Sequence, residues 1–162
     1  IGETKQTFFT VKDLPADEFI KVFGQHLKKN NLIERPAWVT ESNSPPVPFP
    51  SYSGNELAPI DEDWIYYKVA SLARKIYTRP RAGVRLLSHL YGGLYRGKVR
   101  SERHQQAGTK VIRWGLQQLE KQKIIKKDKK GDSLKINSRI ITDEGRGTLN
   151  RIVTEHIKAK TA

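Results

Sequence analysis

Three groups of residues in this 162-residue chain have side chains suited to chemistry: the neighbours Ser88 and His89, the acidic run Asp61-Glu62-Asp63, and histidines at 26, 89, 104 and 156. Each falls short of a site. Adjacency in sequence does not make a nucleophile–base pair, and no carboxylate is placed to orient His89. An acidic run at the start of a helical pattern complements the helix dipole, a commoner role than holding a cation. No two histidines have the i, i+4 spacing of metal ligands. The chain has no cysteine, which removes thiolate sites, disulfides and cysteine nucleophiles. Gly92-Gly93 lacks the following Lys-Ser/Thr of a phosphate loop and the preceding strand of a dinucleotide fold. No general base or acid cluster is placed for phosphodiester cleavage either. An enzyme is not expected, nor a metal or other cofactor.

What remains is charge. Lys and Arg number 30 against 17 Asp and Glu, a formal net charge of +13, and such a surplus points to a polyanion, nucleic acid first. It is unevenly placed. Residues 1–60 carry a net −1 and residues 61–162 a net +14, and from Lys68 to Arg113 there are 12 basic residues against the single acid Glu102. Lys68, Lys75 and Arg79 fall on one side of a helical pattern with Arg74 at its edge. An ordinary solvated helix face mixes in acids, and after Asp63 this one has none. Arg81, Arg85, Arg96, Lys98, Arg100 and Arg103 form a second set punctuated by Gly92, Gly93 and Gly97. The planar guanidinium fork suits phosphate, and glycines let a loop follow an irregular RNA groove. Lys110 and Arg113 open a later helix. Six lysines between Lys121 and Lys130 suit either phosphate or a soluble loop tip. Tyr95 and Trp114 are candidates for stacking on bases or for packing, and packing is the expectation for Tyr91.

The elements that must position these residues follow from apolar spacing. Asp13 is expected to cap a helix that ends at Asn30-Asn31, with Pro15 in its first turn and Phe19, Val22, Phe23 and Leu27 inward. Arg35 to Val39 reads as a short helical turn. Prolines 45, 46, 48 and 50 mark an extended insert over 42–55. Between Asp61 and Arg79, Ile65, Val69, Leu72 and Ile76 recur at i, i+4, i+7 and i+11, the clearest helix of the chain. Gly83 to Tyr91 reads as a shorter helix, 94–108 as a loop, and Thr109 as the cap of a helix that buries Val111, Ile112, Leu116 and Leu119. Ile124-Ile125 and Leu134–Ile136 read as hairpin strands, and Thr142 as the cap of a last helix. The expected fold class is therefore mostly α (α+β): a winged helix-turn-helix core over 61–155 with a central basic amphipathic helix and a β-hairpin wing. N-terminal helices and the Pro-rich insert precede it over 10–60, within one domain spanning 1–162. No run of 18 apolar residues exists to span a membrane, and Glu3, Lys5 and Lys12 interrupt any signal-peptide core. A winged core of this kind also fits a DNA-binding regulator with Thr109–Lys123 as recognition helix, although no heptad marks a dimer helix.

Several motifs occur in order: Thr10-Val11-Lys12-Asp13, Phe19, Pro36-x-Trp38-Val39, Glu56-Leu57-Ala58-Pro59, the run Asp61 to Arg79, Gly83-Val84, Leu90-Tyr91-Gly92-Gly93, Leu116-Gln117-x-Leu119-Glu120, and Thr142-x-x-Gly145-x-x-x-Leu149-x-Arg151-Ile152. With this ordered set the sequence resembles the eukaryotic and archaeal small-subunit ribosomal protein family S-nineteen-e. The resemblance implies a structural protein of the small-subunit head that binds small-subunit rRNA beside neighbouring head proteins and is needed for maturation of the rRNA precursor. It implies a cytoplasmic ribosomal location, with nucleolar assembly in a eukaryote, and neither a membrane nor an obligate homo-oligomer. By the same match Lys68, Ser71, Arg74, Arg79 and Arg113 are carried over as RNA-contacting or assembly residues, and Trp64 as a packing residue. The chain departs from the family pattern in having Lys rather than Arg at 68, which leaves a point charge in place of a bidentate fork. Its Pro-rich insert and its hairpin are also longer.

Overall fold

The structure, a computed structural model, describes residues 8–40, 61–96, 99–128 and 138–161. The Pro-rich insert, Lys98 and the strand expected at 134–136 lie outside them. Helix α1 (Ala16–Lys29) places Asp17 and Glu18 in its first turn and Lys28 and Lys29 in its last, both in accord with the dipole, and buries Phe19, Phe23 and Leu27. Asp13 does not cap it. The N-cap is Pro15, and the Asp13 carboxylate instead accepts from the Thr10 amide (2.7 Å), closing a 3-10 turn over Val11–Asp13. Asn31 ends α1 in the left-handed conformation (φ 46°), with the Leu32 amide donating to the Leu27 carbonyl (3.2 Å) and the Asn31 amide to Lys28 (3.2 Å). These two bonds satisfy carbonyls that a helix end otherwise leaves open. A short helix α2 (Ala37–Thr40) follows.

Helix α3 (Trp64–Thr78) is the centre of the fold. It packs on α1, on the 3-10 turn and on two later elements, a helix α5 (Thr109–Lys121) and a strand β5 (Ser138–Ile141), and it buries Ile65, Val69, Leu72, Ala73 and Ile76. Strand β1 (Ala82–Gly83) leads into helix α4 (Val84–Tyr91). β1 pairs antiparallel with β5, which pairs antiparallel with β4 (Ile125–Lys127), so the sheet order is β1-β5-β4 and Arg139 stands opposite both Ala82 and Lys127. Helix, strand, two helices and a two-stranded wing make a winged helix, as the sequence predicts. The described strands of the wing are β4 and β5, and the strand expected at 134–136 falls outside the described residues.

The expected loop at 94–108 is in part a hairpin. Strand β2 (Gly93–Tyr95) pairs with β3 (Arg103–Gln105), Leu94 opposite His104. Thr109 is the first residue of α5 rather than its cap, which is Gly108. α5 ends like α1, on Lys123 in the left-handed conformation (φ 59°) with the Ile124 amide donating to Leu119 (3.1 Å).

The last helix, α6 (Asp143–Thr161), is capped as expected: the Gly145 amide donates to Thr142 Oγ1 (2.9 Å). α6 closes the molecule through polar contacts with the N-terminal segment. Asn150 Oδ1 accepts from the Val11 amide (3.2 Å) and the Tyr77 hydroxyl (3.0 Å), and Thr154 Oγ1 accepts from the Phe9 amide (3.2 Å). Buried polar groups of this kind are tolerable because they are paired.

Two glycines of α6 allow a test of this packing. A Cβ at Gly145 would meet the backbone of Ile124, whereas one at Gly147 would meet nothing within 4 Å. Gly145→Ala is expected to destabilise by about 1–3 kcal/mol through forced backbone displacement. Gly147→Ala is expected to stabilise by about 0.5–1 kcal/mol from helix propensity. Urea unfolding of the two variants checks the opposite signs.

Candidate nucleic-acid interface

The α3 cations stand beside α4. Lys68 Nζ lies 3.8 Å above the centroid of the Tyr91 ring and Lys75 Nζ 5.1 Å from it, a double cation–π contact. The Tyr91 hydroxyl is bonded to Ser71 Oγ (2.7 Å). Ser71, Lys68 and Lys75 thus meet on one tyrosine, and the Ser71 hydroxyl is engaged within the fold. Burial pushes the Lys68 ammonium down to about 8, with the charge of Lys75 adding to it. Burial lowers Lys75 as well, with Arg79 and Arg74 contributing. The Tyr91 phenol is pushed up to about 12 by burial, opposed by its hydrogen bond with Ser71. Arg79, just past the helix end, is exposed.

A second set lies on the other side of α4. An open groove of about 1290 Å³ runs between α4, the start of α5 and the wing, and Arg81, Arg85, His89, Arg113, Gln117 and Arg139 are among its lining residues. Thr109, Arg113 and Gln117 follow one another at i, i+4 and i+8 along α5, so one helix face supplies that wall. Two of the arginines carry internal duties. Arg139 is 7% exposed and its Nε donates to Glu120 (2.9 Å), and Arg81, left-handed at φ 62°, pairs with the buried Asp128 (3.1 Å). Arg85 and Arg113 are exposed at the groove.

The β2–β3 hairpin carries Arg96 just after β2, Arg100 in its connection and Arg103 opposite Tyr95, all exposed. His104 of β3 lies against His89 of α4, ring centroids 4.3 Å apart. His89 is therefore an exposed groove residue. Lys110 is turned away from Arg113. Its Nζ lies 5.0 Å from the Trp38 ring, which meets Trp114 edge to face at 5.9 Å. The single basic set expected over 81–103 is thus divided between groove and hairpin.

Periodicity and charge alone miss Arg139 and Gln117. Arg139 sits in a strand whose place is set by pairing with distant segments, so no local signal marks it. Gln117 is legible as the i+4 neighbour of Arg113. Among the described residues no three His, Asp or Glu side chains gather to hold a metal ion, and no helix is long and apolar enough to cross a membrane. What the arrangement offers is cationic donors on two sides of one helix, suited to phosphate.

Residues 10–159 match the family model described as ribosomal protein S19e. The chain is 37% identical over 156 residues to a small ribosomal subunit protein eS19 of Entamoeba histolytica, covering 96% of this chain and 91% of that one. It is 37% identical over 143 residues to the rice protein of that name, with 88% and 89% covered. It is 34% identical over 152 residues to that of the scallop Argopecten irradians, with 94% and 96% covered.

Lys68 carries its charge at pH 7, below its value of about 8, although folding half-buries it. Its value in the folded chain lies below that in the unfolded chain. The cost of the charged form is therefore full below pH 8 and fades as the pH rises toward 10.5. Lys68→Met, which keeps an apolar stem over Tyr91, is expected to add about 1 kcal/mol to stability at neutral pH, the relieved burial cost being partly offset by the lost cation–π contact. Urea titrations at pH 7 and pH 10 should show the gain shrinking with pH.

Proposed function

The chain belongs to the ribosomal protein S19e family, whose members are structural components of the small ribosomal subunit and not enzymes, and from that premise we propose that it binds small-subunit rRNA in the subunit head and supports maturation of the rRNA precursor and assembly of the subunit. It works with the ribosome in the cytoplasm. In a eukaryote its assembly step belongs in the nucleolus, beside neighbouring head proteins.

The observation that carries the RNA-binding reading is the placement of cations on both sides of α4, Lys68, Lys75 and Arg79 with Arg74 from α3 and Arg85 and Arg113 at the groove, with no acid among the described residues that line that groove. Phosphate contacts from such residues position a partner without reading its sequence. The hairpin arginines Arg96, Arg100 and Arg103 extend the same reading, as do Arg81 and Lys110 where their internal contacts allow. Lys98 belongs to the proposal by sequence and lies outside the described residues. Ser71 acts here through Tyr91, holding the ring over which Lys68 and Lys75 lie. A winged-helix DNA regulator, the alternative reading, uses the α5 face alone and leaves the α3 cations without a role.

Reversing charge at Lys68 and Arg79 together (Lys68→Glu with Arg79→Glu) is expected to block incorporation into small subunits, read by sedimentation, while circular dichroism of the purified variant stays helical. Normal incorporation would remove the α3 stripe from the interface. Binding of the wild-type protein to small-subunit rRNA should weaken linearly in log affinity against log salt. Lys75→Ala should reduce the slope by about 0.7–0.9, because one phosphate fewer is neutralised.

A further inference from the structure

We propose that this chain promotes the annealing of complementary RNA strands by holding one strand on each side of α4; the inference rests on the reading that both faces take RNA phosphate. Arg85 and His89 of α4 line the groove, while Tyr91 of the same helix turns to Lys68 and Lys75 of α3. At about 100° per residue the two directions stand roughly 140° apart around α4. The cations they serve are therefore separated by about one helix diameter, roughly 10–12 Å with side chains.

Two properties make such a pair of faces an annealing device. Lysine and arginine bound to phosphate leave the pairing edges of the bases turned outward, so a held strand can still find its complement. Phosphate neutralisation lowers the repulsion between two strands, and capture of the second strand beside the first turns a bimolecular search into an intramolecular one, at an effective concentration near millimolar. Pairing runs downhill, so no nucleotide hydrolysis is required. Neutralisation alone also speeds pairing, and a variant of equal charge but intact faces separates that contribution from the division of the cations between two sides.

The test mixes two short complementary RNA strands carrying a donor and an acceptor fluorophore with the full chain and follows energy transfer in time. Affinity for each single strand is measured separately by anisotropy. Wild type is expected to accelerate pairing. Lys75→Glu with Arg79→Glu, which disables one face, and Arg85→Glu with Arg113→Glu, which disables the other, are each expected to keep binding a single strand and to lose about tenfold or more of the acceleration. Lys12→Glu with Lys21→Glu removes the same charge at exposed positions that neither line the groove nor meet Tyr91, and is expected to retain it. Full acceleration by either single-face variant overturns the proposal, as does an equal loss in the Lys12/Lys21 control. A wild-type protein that binds single strands without accelerating pairing overturns the proposal alone and leaves the RNA-binding reading standing. One that binds no RNA overturns both.

Discussion

Helix α3 must satisfy opposite solvation demands on its two sides, and the rest of the structure is arranged around that constraint. Ile65, Val69, Leu72 and Ile76 are almost fully removed from water and form the middle of the core, with α1, α5 and β5 laid over them. Burying that side drives the fold. The same helix carries Lys68, Arg74 and Lys75 on turns that cannot all escape the neighbouring α4. Tyr91 resolves the conflict, because its ring accepts two ammonium groups electrostatically while its hydroxyl is satisfied by Ser71. An apolar residue in its place would leave half-buried ammonium groups facing a surface with nothing to offer them.

Two acids of the basic half are used structurally. Asp128 and Glu120 hold Arg81 and Arg139, fixing the wing to the start of α4 and to the end of α5. Buried charges survive only when paired in this way, and removing one partner costs far more than removing both. The consequence for function is a division of labour. Some arginines brace the groove, while Arg85 and Arg113 remain exposed in it. A count of basic residues therefore overstates the charge offered to a partner.

Much of the architecture is legible in the sequence where a local rule governs it. The i, i+4, i+7 spacing from Ile65 to Ile76 places α3, and Thr142 reads as a cap because a hydroxyl before an acidic first turn has one obvious use there. Structure and expectation part where local rules allow two outcomes. Asp13 has a partner three residues upstream, Thr10, that competes with the helix it is expected to cap. The β2–β3 strands are three residues each, polar or glycine-containing, with Leu94 exposed, so no alternation of buried and exposed residues announces them. The place of β5 is set by its pairing with β1 and β4 and not by any local pattern, so the register of Arg139 could not be read from its neighbours.

The sequence by itself pointed to a polyanionic partner and to the order of the helices. A net +14 on residues 61–162, without cysteine or a catalytic set, already points to a polyanion, and apolar periodicity already implies helices around a winged core. Only the tertiary structure decided which cations lie together. Arg81, Arg85 and Arg113 share a groove although a helix and a hairpin separate them, and Lys110 leaves that groove for Trp38 although it lies within one turn of Arg113. It also drew Ser71 inward to Tyr91 and set Arg139 to bracing the wing. Helical periodicity is a local property of the backbone and can be read residue by residue, whereas the side on which a charge emerges depends on what packs against the other side, and that is settled by contacts between distant segments.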